Sequence, residues 1–188
     1  MRDLSLHLLD IIQNSIKAGA HKIDVSVEAD PDGAILRMTV RDNGSGMSPE
    51  LLQQVTDPFV TTRTTRSVGL GLSLLQELCS LTGGSLTLTS EVGAGTLLVA
   101  ELGLESIDRL PLGDLGETWS ALIMSCPDLD FRMTLLAPGR EMTLDTMQMR
   151  EQLAAVPLNE PAVLQWIREF VVEQQQKIFG GFLNEIFS

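Results

Sequence analysis

The chain has no basic stripe. Its 188 residues carry 13 lysines and arginines against 25 aspartates and glutamates, a net charge of −12. The imbalance is spread along it: residues 1–103 hold 7 basic and 12 acidic side chains, residues 104–188 hold 6 and 13. That balance excludes an extended footprint on nucleic acid or on an anionic membrane surface. No apolar run is long enough to read as a membrane span. Residues 1–9 carry Arg2, Asp3 and His7, which a signal peptide would not. There are only two cysteines, Cys79 and Cys126, in different segments and without a C-x-x-C. They predict reduced, buried thiols in a cytoplasmic protein. Low-complexity tracts and internal repeats are missing as well. What is present is a 44% hydrophobic composition, ample for a packed core.

The chain is organised around V-R-D-N-G-S-G-M, residues 40–47. Residues 35–40 alternate as a strand does, and the run then breaks at Gly44 and Gly46. A strand ending this way delivers a carboxylate, Asp42, to the mouth of a pocket. The backbone beyond it is free to take positive φ and lie against a ligand. Asn-Gly is also a good hairpin turn, but three further stretches occur at spacings a hairpin does not explain.

Upstream, Leu4, Leu8, Ile11, Ile12, Ser15 and Ile16 keep helical spacing over residues 3–18, with Gly19 as a C-cap. Asp10 and Asn14 fall four apart at the edge of that apolar stripe and project to one place. Residues 23–27 alternate, and Pro31-Asp32-Gly33 turns into the strand that ends at Asp42. Downstream, Gly69-Leu70-Gly71-Leu72 opens a helix over 71–82, whose exposed N–H groups and positive dipole end suit phosphate. Between the glycine pairs, residues 45–67 are long, polar and rich in threonine and arginine, which predicts an active-site lid over Thr61–Ser67. Residues 85–90 and 96–102 alternate as two closing strands.

The run from Leu8 to Ala20 followed by D-N-G-S-G-M resembles the N-box and first glycine box of the GHKL superfamily. That group comprises DNA gyrase, the ninety-kilodalton heat-shock chaperones, sensor histidine kinases and the mismatch-repair protein MutL. Residues 14–47 are especially similar to MutL. Asp57-Pro58-Phe59 with Thr61-Thr62-Arg63 resembles the F-box of histidine kinases. Val68–Leu72 resembles their second glycine box, and Gly93-x-Gly95-Thr96 their closing glycine-threonine element.

The resemblance implies an α+β two-layer sandwich of the Bergerat type over residues 1–103, binding ATP or ADP with Mg2+. Carried over residue by residue, Asn14 holds the metal and Lys17 neutralises phosphate. Asp42 accepts from the adenine amine, Gly44, Gly46 and Met47 support the base, and Thr96 completes that site through a water. Phe59, Thr61, Arg63 and Arg66 line the lid, and Gly69, Leu70, Gly71 and Leu72 cradle the phosphates. Asp10 stands where histidine kinases usually have asparagine and hydrolytic members a glutamate. It is therefore the candidate base for water.

Only nine residues precede Asp10, and neither His7 nor His21 is followed by Asp or Glu as a phosphoacceptor histidine is. The expectation is a stand-alone regulatory module with slow Mg-dependent ATPase activity. Two alternatives stay open, a kinase acting in trans on a partner protein and a non-hydrolysing nucleotide switch. Outside the resemblance, residues 104–118 read as a linker and 119–188 as a small α/β domain. That domain is expected to contain strands at 119–124, 131–137 and 141–144, then helices capped by Asp145 and Asn159. Its apolar end (Phe182, Leu183, Ile186, Phe187) folds back or meets a protein partner or second copy.

Overall fold

The computed structural model describes residues 2–32, 34–56 and 70–180. In chain order these form α1 Leu4–Lys17, β1 Lys22–Asp30, β2 Ile35–Asp42, α2 Pro49–Thr56, α3 Leu70–Leu81 and β3 Ser85–Glu91. Then come β4 Gly95–Gly103, α4 Leu115–Ser125, β5 Asp130–Ala137, β6 Arg140–Asp145, α5 Thr146–Leu153 and α6 Pro161–Phe179.

Alternation decides the layering. Ile23, Val25, Val27 and Ala29 of β1 and Leu36, Met38 and Val40 of β2 are buried, while the polar residues between them face the other way. Leu98, Ala100 and Leu102 continue this face on β4, and Phe131, Met133 and Leu135 on β5. Helices α1, α3 and α6 pack against the sheet. The strands form one sheet in the order β3-β4-β2-β1-β5-β6, antiparallel except for the β1–β5 pair. This is the α+β two-layer sandwich the sequence predicts.

Helix α1 starts where Asp3 accepts a hydrogen bond from the Leu6 amide at 3.0 Å and stops at Gly19, whose φ of +76° suits glycine. Both cysteines are free. No helix among the described residues is long and apolar enough to cross a membrane.

The C-terminal half is where expectation and structure part. Residues 119–124 are helical: Asp114 caps α4 by accepting from Glu117 N at 2.7 Å, and Leu115, Trp119, Leu122 and Ile123 bury one helical face. The expected linker is docked. Leu4 N donates to Pro111 O and Ser5 N to Leu112 O, both at 2.9 Å, and Leu112 is buried. Nor do β5 and β6 build a separate small domain. Strand β5 pairs with β1 from Lys22↔Asp130 to Glu28↔Leu136, so the boundary at Gly103 cuts through one sheet and one core.

Asp145 caps α5 as expected, accepting from Met147 N at 2.9 Å. Helix α6 begins at Glu160 with Pro161 in its first turn, without the expected Asn159 cap. The long polar segment 45–67 contains α2, whose Leu51 and Val55 lie four apart on one face. Gly33, Asp57, Pro58, Phe59, Thr61, Arg63, Arg66, Ser67, Val68, Gly69, Phe182, Leu183, Ile186 and Phe187 lie outside the described residues, and with them the expected lid and apolar end.

Candidate functional site

The helix-facing side of the sheet holds a cavity of about 590 Å³. Its polar lining includes Asn14, Lys17, Asp42 and Thr96, Gly46 and Met47 also line it, and its apolar wall includes Ile11, Leu51, Leu72 and Leu98. Three strands build the polar end through register alone. Asp42 of β2 stands opposite Thr96 of β4, and Thr96 stands opposite Ser90 of β3. Side chains opposite one another on adjacent strands share a face, so the three form a row of oxygens.

Asp42 is 8% exposed, and a carboxylate at that depth needs donors. Helix α1 supplies one, the Ser15 hydroxyl, 2.6 Å from Asp42 Oδ2. The following loop supplies another, the Gly44 amide, 2.9 Å from Oδ1. Each oxygen keeps acceptor capacity for a ligand.

The loop that carries Gly44 and Gly46 is held from both sides. Ser45 N donates to Ala18 O and Gly93 N to Ser45 O, both at 2.8 Å. Met47 N donates to Ser90 Oγ at 2.9 Å. A Cβ at Gly44 would sit 2.9 Å from Ala18 O, and one at Gly46, where φ is +65°, would fall on Glu91 O. These glycines admit neighbouring backbone; Gly46 also lines the cavity.

Asp10 and Asn14 share a helix face as their spacing predicts, yet only Asn14 lines the cavity. Asp10 reaches the first turn of α3, where a Cβ on Gly71 would fall on its Oδ2. That oxygen is buried with no hydrogen-bond partner among the described residues. One turn earlier His7 is buried too. Burial holds its pKa below the ordinary value, although a Gly71 backbone hydrogen bond and the charges of Asp10 and Asp3 pull the other way. Leu70 opens α3 and Leu72 reaches the cavity.

Among the described residues no group of three His, Cys, Asp or Glu side chains could hold a metal. The Asn14 amide oxygen is the type of single ligand that suits magnesium gathered with phosphates. Sequence reasoning missed Ser15, Ser90 and His7. Ser15 left a signal, a hydroxyl inside an apolar stripe. Ser90 and His7 left none, since strand register and helix packing create their roles.

A family model described as "Histidine kinase-, DNA gyrase B-, and HSP90-like ATPase" matches residues 2–106. An uncharacterized sensor-like histidine kinase of Rhizobium meliloti (strain 1021) is 37% identical over 100 residues, 50% of this chain and 19% of that protein. The histidine protein kinase DivJ of Caulobacter vibrioides is 32% identical over 105 residues, 54% of this chain and 18% of that protein. The chain thus spans less than a fifth of the length of these relatives. The N-terminal domain of a DNA repair protein shares the fold, with a TM-score of 0.50 and 15% identity over 77% of this chain and 53% of that one.

Proposed function

The chain belongs to the family of histidine kinase-, DNA gyrase B- and HSP90-like ATPases, and we propose that it binds ATP in this cavity with Mg2+ and hydrolyses it slowly. One observation carries the reading. The buried Asp42 carboxylate, oriented by Ser15 and Gly44, faces a cavity of nucleotide-compatible size beside Thr96.

In this reading Asp42 accepts from the adenine amine, and Gly44, Gly46 and Met47 form the loop under the base. Asn14 holds the magnesium and Lys17 faces the phosphates. The start of α3 at Leu70–Leu72 offers backbone N–H groups to phosphate oxygens. Phe59, Thr61, Arg63, Arg66 and Gly69 take phosphate-side roles on the strength of the sequence resemblance. Bound magnesium would neutralise phosphate charge; the chain's own part is positioning, with Asp10 orienting the attacking water.

Calorimetry with Asp42→Asn tests the site. An amide nitrogen facing the base amine should cost about 1–3 kcal/mol of ATP affinity. Wild-type affinity in that variant would defeat the assignment.

A second reading, phosphoryl transfer to a partner protein, is favoured by the absence of Asp10 from the cavity lining. Label transfer from γ-labelled ATP to a co-purified protein, with little free phosphate, would establish it. A partner or second copy would meet the C-terminal half, where Trp166 is 52% exposed and stacks on Phe170.

A further inference from the structure

We infer that the outer edge of β3 is the pairing surface for a second copy of this chain, strand against strand, across a two-fold axis at Leu88. This surface is separate from the C-terminal face around Trp166.

The sheet has two edges, β3 and β6, and they are finished differently. An edge strand offers unpaired N–H and C=O groups to any other strand, so folded proteins cover it or interrupt it with charge or proline. Strand β6 is protected. Its core-facing Met142 and Leu144 are buried, it begins with Arg140 and Glu141, and Arg140 Nη1 donates to Lys177 O of α6 at 2.7 Å. Strand β3 has none of these devices. Over seven residues, S-L-T-L-T-S-E, it carries no proline, lysine or arginine. Its core-facing Leu86 and Leu88 are only half-buried, while Ala100 and Leu98 opposite them on β4 are buried. Among the described residues β3 makes its ladder with β4 alone. No main-chain hydrogen bond reaches its outer side from those residues; the Ala94 N to Glu91 O bond belongs to the hairpin turn.

A strand pairs with its own copy when its sequence suits itself read backwards. Antiparallel pairing about Leu88 brings all seven residues into register. Leu88 meets the partner's Leu88, and Thr87 meets the partner's Thr89. Leu86 meets the partner's Ser90, and Ser85 meets the partner's Glu91. Glu91, the one charge on the strand, therefore faces a hydroxyl and not another carboxylate. Two threonine pairs stand on the exposed face, and a leucine pair closes the half-open side of the core. Both kinds of contact stabilise neighbouring strands. Such neutrality matters in a chain of net charge −12, where self-repulsion favours the monomer. Because β6 is protected, association closes at a dimer and does not grow into a fibre. Leu88 also lines the cavity and Ser90 Oγ holds Met47 N at 2.9 Å, so a paired edge braces the loop that carries Gly46.

Thr87 and Thr89 are exposed and lie outside the lining of that cavity, so their charge can be changed without touching the candidate site. Sedimentation equilibrium measures the dimer dissociation constant, and circular dichroism melts check that each variant folds. The wild type should dimerise. Thr87→Lys/Thr89→Lys sets lysine against lysine twice and should weaken the dimer about tenfold. Thr87→Lys/Thr89→Glu sets lysine against glutamate twice and should return the constant to the wild-type value. If the double-lysine variant fails to fold, Thr87→Glu/Thr89→Glu takes its place, with glutamate against glutamate. Trp166→Glu should leave the constant unchanged. Four results overturn the inference: a wild type that stays monomeric at millimolar concentration, a dimer indifferent to the like-charge variants, no recovery in the charge-swapped variant, or a dimer lost in Trp166→Glu.

Discussion

The Asp10 carboxylate occupies the space that a side chain at position 71 would need. A Cβ built on Gly71 falls on Asp10 Oδ2, with Asp10 Cγ only 2.7 Å away. In the sequence Gly71 reads as a glycine for close approach to phosphate. In the folded chain it is also the glycine that lets α1 and α3 meet. Gly71→Ala should therefore cost about 1–3 kcal/mol of stability through overpacking. In an Asp10→Ala background the same substitution should cost about 1 kcal/mol less, since contacting residues couple. Denaturant melts of the four proteins give the coupling directly. Equal costs in both backgrounds would mean the carboxylate is not what excludes a side chain there.

Asp10 also carries the hydrolysis proposal. Its Oδ2 is buried without a partner among the described residues, so an acceptor is available for a water. Asp10→Asn keeps the shape and removes the base. Phosphate release should fall by roughly 10²–10⁴ while ATP affinity, measured on the same preparation, holds. Unchanged release would assign Asp10 to packing against Gly71 alone.

Ending the chain at Gly103 should unfold it. Such a truncation removes β5 from the edge of β1 and strips α1 of the docked 111–112 segment. It also deletes Trp119 and Phe131, which meet at 5.9 Å in the shared core. The expected outcome is loss of the cooperative thermal transition in circular dichroism. A truncated protein that melts cooperatively and binds ATP would restore the domain boundary at that glycine.

Acid sensitivity should trace in part to His7. Its side chain is buried, and burial lowers its pKa from the usual 6.5. Below that pH the unfolded chain takes up a proton that the native state resists, so stability is lost as pH falls from about 6.5 toward the lower native value. Above it, His7 is neutral in both states and contributes no slope. Urea midpoints between pH 5 and 8 should show this dependence reduced in His7→Leu. An unaltered profile in that variant would move the effect to other groups.

Most of the first hundred residues were legible as sequence because their signals are local. Alternation at 23–27, 35–40 and 96–102 needs only the two-residue period of a half-buried strand. Helix α1 declares itself by apolar spacing between Asp3 and Gly19. Asn14, Lys17, Asp42, Gly46, Met47 and Thr96 were legible as candidates because their motifs lie in order, and one cavity brings them together. Residues 119–124 misled because a short apolar run has no distinguishing period; the Asp114 cap and the burial of Leu115, Trp119 and Ile123 make it a helix.

By itself the sequence determined which segments are strand and helix in the N-terminal half, where the chain carries its acceptors, and which family it belongs to. Tertiary structure alone decided that β5 lies beside β1, more than a hundred residues away, because a strand's partner is chosen by shared burial and not by any adjacent residue. It decided that Gly71 answers to Asp10, and that Ser90, Thr96 and Asp42 stand in one row. Register is a property of strands in pairs, so that row exists only once all three strands are in place.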